Sequence, residues 1–222
     1  MMTRRGLVDM HTIHTTAGFI VGSRPYGDAG KILNIFTREF GLIYATAQGI
    51  RLEKSKLRYH IQDYSFGTYS LVRGREYWRI VSASTDIRCD LSAISGPVSL
   101  RAKLGDLRLD AQEIVARIAL LLRRLLHGEE AHPELFDYII ACAKFLEMNY
   151  LANVSGQAEE IITLESLIVA RMLFTLGYIG NISGIDSILQ SKDIDRVLLV
   201  ELHSKRTLLN QHINRALKES ML

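Results

Sequence analysis

Cysteine is scarce: 222 residues hold two, Cys89 and Cys142. Two thiols make neither a disulfide framework nor a four-cysteine zinc site, so a reducing, cytoplasmic setting is expected. Long apolar runs are missing as well. No stretch approaches the ~20 residues of a membrane helix, and the longest candidates carry Arg or Glu inside them, so no membrane partner is expected. The cations of MMTRRGLVDMHTIHTT have no apolar segment behind them, which separates this start from a secretory signal. Residues 1–11 read as a flexible leader.

Acidic charge is thin in the first part of the chain. Residues 1–80 hold 12 Lys/Arg against 6 Asp/Glu, whereas residues 81–222 hold 15 against 18. A net +6 followed by −3 points to two units with different jobs, the basic one facing an anionic polymer. Apolar residues make up 48% of the chain, enough for a real core and against wholesale disorder.

The basic part is rich in short apolar runs broken by turn residues. Phe19 to Val21 is a β-branched strand, and residues 23–27 (SRPYG) read as the turn that ends it. Ile32 to Phe36 fits a helical turn as well as a strand, but its brevity and flanking glycines favour a strand. Leu42 to Ala47 alternates, residues 50–60 form a basic loop without a period, and Tyr64 to Tyr69 alternates again. Arg73, Gly74 and Arg75 make a hairpin into Tyr77 to Val81. Five strands at this spacing suit a small closed barrel of the oligonucleotide-binding (OB) type over residues 12–85, with an open sandwich as competitor.

Such barrels hold nucleic acid through a cationic groove and aromatic stacking. The cations of interest are Arg24, Lys31 and Arg38 beside the early turns, and Arg51, Lys54, Lys56 and Arg58 in the long connection. Glu53 alone opposes them between residues 50 and 60. Tyr44, Tyr64, Phe66, Tyr69, Tyr77 and Trp78 are the aromatics available for stacking, and most are expected to fill the barrel. Two other patterns carry no chemistry. His11 and His14 fall on opposite faces of a strand, with no Cys or third His nearby, and read as solvated. GSRPYGDAGK (residues 22–31) resembles a phosphate loop, but Pro25 stands at the first Gly position and Ile32 where magnesium needs Ser or Thr.

After Thr85 the texture changes. Residues 92–97 (SAISGP) mark a boundary, and residues 86–222 read as an α-helical domain, making the whole chain α+β. Ile114, Ile118, Leu121, Leu122 and Leu125 recur at helical spacing, with Arg123, Arg124 and His127 in the last turn and Gly128 as C-cap. Pro133 starts the next helix, with Leu135, Phe136, Ile139, Ile140, Ala143 and Leu146 on it. Further helices span about 161–178 and 194–217. No carboxylate has a partner base, so no enzyme, cofactor or small-molecule substrate is expected.

The ordered set AGFIV (17–21), RPYGD (24–28), FTREFG (36–41), AQGIR (47–51) and Ser55 resembles the N-terminal barrel of RecO, a bacterial recombination-mediator family. Arg124 to Leu126 followed by PELFD (133–137) resembles the family's helical segment, and HINRALKES (212–220) its C-terminal helix. LGY (176–178) resembles the point where many members enter a zinc knuckle, but IGNISGID follows without cysteine. No metal site is expected, and local packing must hold that loop.

The resemblance implies a barrel that binds single- and double-stranded DNA and anneals complementary strands. It also implies a helical domain that receives the C-terminal tail of the single-strand-binding protein. With the partner RecR, such a protein helps load recombinase RecA, which implies nucleoid association. An acidic, apolar-ended tail needs a hydrophobic pocket with a cation at its rim, and Arg124 with Phe136 is the candidate pair. The competing functions are a non-catalytic protein-interaction adaptor whose barrel is a scaffold, and an RNA-binding barrel.

Overall fold

The computed structural model describes residues 12–50, 55–88, 106–151, 158–191 and 193–220. These divide into two units: the residues up to Arg88 together with Gly128–Ala131, and the remainder.

The first unit is built on five strands: β1 (Ile13–Tyr26), β2 (Gly30–Thr37), β3 (Gly41–Ala47), β4 (Ser65–Arg73) and β5 (Trp78–Arg88). They close into a barrel in the order β1-β2-β3-β5-β4, the ring order of an OB barrel. Every pairing is antiparallel except β3 with β5, which run parallel and meet at only two residue pairs, Ala45 with Trp78 and Thr46 with Arg79. The inner face alternates Ile20, Leu33, Ile35, Ile43, Ala45, Tyr69, Leu71, Trp78 and Ile80, as a period-two strand requires when one face is buried. A second apolar row lies on the opposite face. Leu42, Phe36, Phe19, Phe66 and Ile87 pair in succession, one from each strand, and all are buried. Phe19 and Phe66 stack there with ring centroids 4.0 Å apart.

β1 runs further than its sequence predicts. The strand continues through Arg24 and Pro25 to Tyr26, and the reversal falls after it. Pro25 has no N–H to lose and sits next to the strand's end, where proline is tolerated. GSRPYGDAGK is therefore the tip of an antiparallel hairpin, with residues on both strands, rather than a strand–loop–helix cradle. His14 is not simply solvated either. Its ring meets Phe40 and Trp78 edge-on at 5.4 and 5.6 Å.

Residues 128–131 complete this unit. Glu129 pairs with Arg73 and accepts the Trp78 indole N–H at 3.0 Å, while the Arg73 guanidinium lies 4.9 Å from the Trp78 ring centroid. Gly41 takes a left-handed φ of +66°, and a Cβ there would collide with the Glu130 backbone.

The second unit is helical: α1 (Asp106–Leu125), α2 (Pro133–Leu146) with a π-helical extension (Glu147–Leu151), α3 (Ala158–Thr175), α4 (Asp186–Gln190) and α5 (Arg196–Glu219). α3 is buried nearly all round, through Ile161, Leu164, Leu167, Ile168, Met172 and Leu173, which marks the central helix of a bundle. It touches each of the other four helices. α5 presents Leu199, Leu202, Leu209, Ile213 and Ala216 to the core, and Asp195 caps its first turn by accepting from Leu198 N at 2.7 Å. Gly177, at φ +79°, ends α3, with the Tyr178 N–H bonding back to the Leu173 carbonyl at 2.8 Å. No helix among the described residues is long and apolar enough to cross a membrane.

Candidate nucleic-acid interface

Strand register decides which polar side chains share a face. Arg24 pairs with Ile32, Ile32 with Thr46, and Thr46 with Arg79. One row therefore crosses β1, β2, β3 and β5 on the outside of the barrel, with an exposed arginine at each end. The neighbouring row on the same face is Gly22, Asn34 and Tyr44. Rows two residues apart stand about 7 Å from each other along the strands, and adjacent strands are about 4.8 Å apart. The two arginine positions are thus separated by roughly 14 Å across the sheet.

The same register gathers the loops. Lys31 pairs with Ala47, so the β1–β2 turn lies beside the end of β3. The parallel pairs at Ala45 and Thr46 bring the start of β5, and with it the β4–β5 hairpin, to that end too. Tyr26, the last residue of β1, and Tyr77, in the β4–β5 loop, meet edge to face with centroids 6.2 Å apart. The outer face of β2 and β3 flanked by these two loops is where OB barrels take oligonucleotides.

The residues singled out from the sequence divide accordingly. Arg24 is exposed on the face. Lys31 follows the inward parity of Leu33 and Ile35 and is half-buried at the barrel's end. Arg38 falls in the β2–β3 turn beside Glu39, 3.8 Å away. It stands roughly 24 Å along β2 from Lys31 and does not join the others. Lys56 and Arg58 are exposed on a 3-10 turn (Lys56–Tyr59) that Leu57 fastens to the core. Arg51 and Lys54 lie outside the described residues, as do residues 1–11 with His11, Cys89, and the boundary at 92–97.

The aromatics divide more sharply. Phe66, Tyr69 and Trp78 are buried, whereas Tyr64 and Tyr77 are half-buried and Tyr44 is exposed. Sequence reasoning passed over Tyr26, Tyr59, Arg75 and Arg79, all exposed. The period-two alternation of Tyr77, Arg79 and Val81 against Trp78 and Ile80 was the available signal for Arg79.

This barrel has known counterparts. The family model described as "Recombination protein O N terminal" matches residues 10–86. A curated "DNA repair protein RecO" from Actinobacillus pleuropneumoniae serotype 5b is 30% identical over 166 residues, 75% of this chain and 60% of that protein. One of the same name from Gloeothece citriformis is 27% identical over 160 residues, 68% of this chain and 54% of that protein. The protein of that name from Alkaliphilus metalliredigens is 37% identical across 65 residues, 29% of this chain and 26% of that protein. The chain thus carries a RecO N-terminal domain at residues 10–86. It spans between 26% and 60% of the length of these RecO relatives.

In the helical unit, local packing holds the segment that follows Leu176. Ile179, Ile182, Ile185 and Ile188 recur every third residue and are all buried. Arg171, 2% exposed, reaches from α3 into the same segment and donates to the carbonyls of Ile188 and Asp193. Its guanidinium also lies over the Tyr138 ring at 4.8 Å. From α5, Lys205 donates to the Gly184 carbonyl at 2.9 Å. An apolar ladder and two cations on backbone carbonyls therefore anchor the segment.

Arg124 and Phe136 do not form one site. Phe136 is 1% exposed and has no face to offer an incoming peptide. Arg124 is exposed and lines a groove of about 470 Å³ bordered by α1, α3 and α5, with Leu120, Leu121, Ile162, Val169 and Leu217. Arg117, in the same groove, is held by Glu165 at 2.6 Å and by Glu113 at 3.2 Å.

Proposed function

We propose that the chain is a DNA-repair and recombination protein whose barrel binds DNA and speeds the pairing of complementary single strands. The observation that carries this reading is the cross-strand row with Arg24 and Arg79 at its ends, on the face that the β1–β2 and β4–β5 loops flank. Similarity to relatives named DNA repair proteins supports it. Annealing needs no bond chemistry. Two strands repel through their phosphates, and cations held on a rigid face lower that repulsion while releasing counterions, so the effect weakens steeply with salt.

Recombinase loading onto coated single strands, with RecR as partner, belongs to the same proposal, as does docking of the single-strand-binding protein's tail on the helical unit. The groove at Arg124 supports the docking: it joins an apolar lining to an exposed guanidinium, the chemistry an acidic peptide with an apolar end requires.

The test is an annealing assay with purified protein and two complementary oligonucleotides at low and high salt, without nucleotide or metal. Acceleration that fades with salt is the expected result. No acceleration, with neither DNA form bound at low salt, removes the reading and leaves a scaffold barrel on an adaptor protein. A direct competition in which RNA displaces DNA would move the barrel to the RNA class instead.

A further inference from the structure

We infer that Tyr44 is a base-stacking platform, and that it makes this face favour single-stranded over double-stranded DNA. The inference rests on the DNA-binding reading above and assigns the single strand as the preferred occupant. Tyr44 lies on β3, at the middle of the outer face, and is 47% exposed. Its cross-strand partner is Asn34, whose partner on the far side is Gly22. The row beside the ring therefore carries one short amide and then no side chain at all. No bulky side chain thus stands beside the ring on that row, Asn34 being half-buried and the Gly22 backbone buried.

The next row, about 7 Å along the strands, is the one that carries Arg24 and Arg79. Aromatic surface and guanidinium groups thus lie in adjacent rows. A single strand can set a base on the ring while its phosphates meet the arginines. A duplex keeps its base faces inside its own stack, so it meets the arginines and gains nothing from the ring.

The other aromatics of the strands and the β4–β5 loop do not offer this surface, and Tyr59, though exposed, stands on the 3-10 turn rather than on the strand face. Phe19, Phe36, Phe66, Tyr69 and Trp78 are buried, and Tyr26 and Tyr77 turn their rings to each other. The bland alternative is that Tyr44 is there because tyrosine suits a half-buried strand position. That role makes no distinction between DNA forms.

The experiment measures binding of the full chain to a labelled oligothymidylate of about 16 nucleotides, and to a duplex of the same length, across a salt series. Wild type, Tyr44→Ala and Tyr44→Phe are compared, with thermal melts as a check that the exposed substitution leaves the fold intact. Tyr44→Ala should weaken single-strand binding roughly 10- to 100-fold. Its duplex affinity should change by less than about twofold, and its salt slope should stay put because no phosphate contact is lost. Tyr44→Phe should bind as wild type, since the ring face is kept. Equal single-strand binding by wild type and Tyr44→Ala overturns the inference while leaving the cationic face in place, and so does an equal loss for both DNA forms. Wild type that binds neither form at low salt overturns the DNA reading itself.

Discussion

Arg171 donates from Nη2 to the carbonyl of Ile188 at 2.7 Å, and its Nε reaches the same oxygen at 3.0 Å. Both Nη atoms also reach the Asp193 carbonyl at 3.3 Å. A guanidinium that is 2% exposed is costly to bury, and here backbone dipoles and the Tyr138 ring face offset that cost. The planar fork matters, because a lysine ammonium cannot hold two carbonyls from one fixed plane.

Arg171→Met should therefore destabilise the protein by about 3 kcal/mol, from two carbonyls left without donors. Arg171→Lys should recover only part of that. Urea unfolding supplies the free energies, and limited proteolysis between residues 180 and 195 should quicken in both variants. A wild-type midpoint for Arg171→Met would show that the apolar ladder holds the segment unaided.

Alkaline pH should weaken the fold in a defined order. Burial pushes the Cys142 thiol up from 9.0 to about 12, and burial likewise raises the Tyr138 and Tyr69 hydroxyls above 10.0. In each case the folded chain keeps a proton that the unfolded chain releases. Stability is intact below pH 9 and falls as pH rises from there, by about 1.4 kcal/mol per pH unit for each group that has begun to differ. In Cys142→Ser the decline should start about one unit later, where the tyrosines take over. Urea titrations at pH 7, 9 and 10 check this, and coincident profiles for the two proteins at pH 10 would exclude the thiol as the first contributor.

Salt dependence should separate the two cationic regions. Replacing Arg24 and Arg79 together by Ala should lower the slope of log affinity against log salt by about 1.4 for single strands, if each arginine meets one phosphate. Replacing Arg51, Lys54, Lys56 and Arg58 by Ala should weaken single strands of any sequence. Unchanged affinity in the fourfold variant, with the fold intact, would assign binding to the barrel face alone.

How far the sequence carries is clear from particular residues. Alternation and glycine punctuation located all five strands, since both are local. The end of β1 was misread because Pro25 and Gly27 look like a turn, whereas register with Lys31 keeps Pro25 in the ladder. α4 is a single short turn and leaves no period to find. Arg24 was legible as a cation beside a turn. Its alignment with Arg79 was not, because that depends on which strand closes the barrel against β3. Arg171 sits in an apolar helical run, and only carbonyls 17 and 22 residues away explain how a charge can stand there.

The bond from Trp78 to Glu129 has a consequence in time. The indole lies on the last barrel strand, and its acceptor follows 51 residues later. At about 5–20 residues per second, a ribosome needs roughly 3–10 s to make that stretch. A nascent chain released from translation before Glu129 would carry every strand of the barrel, yet its tryptophan N–H would still lack that acceptor. Maturation of the first unit is in this respect clocked by synthesis of a segment well beyond its strands.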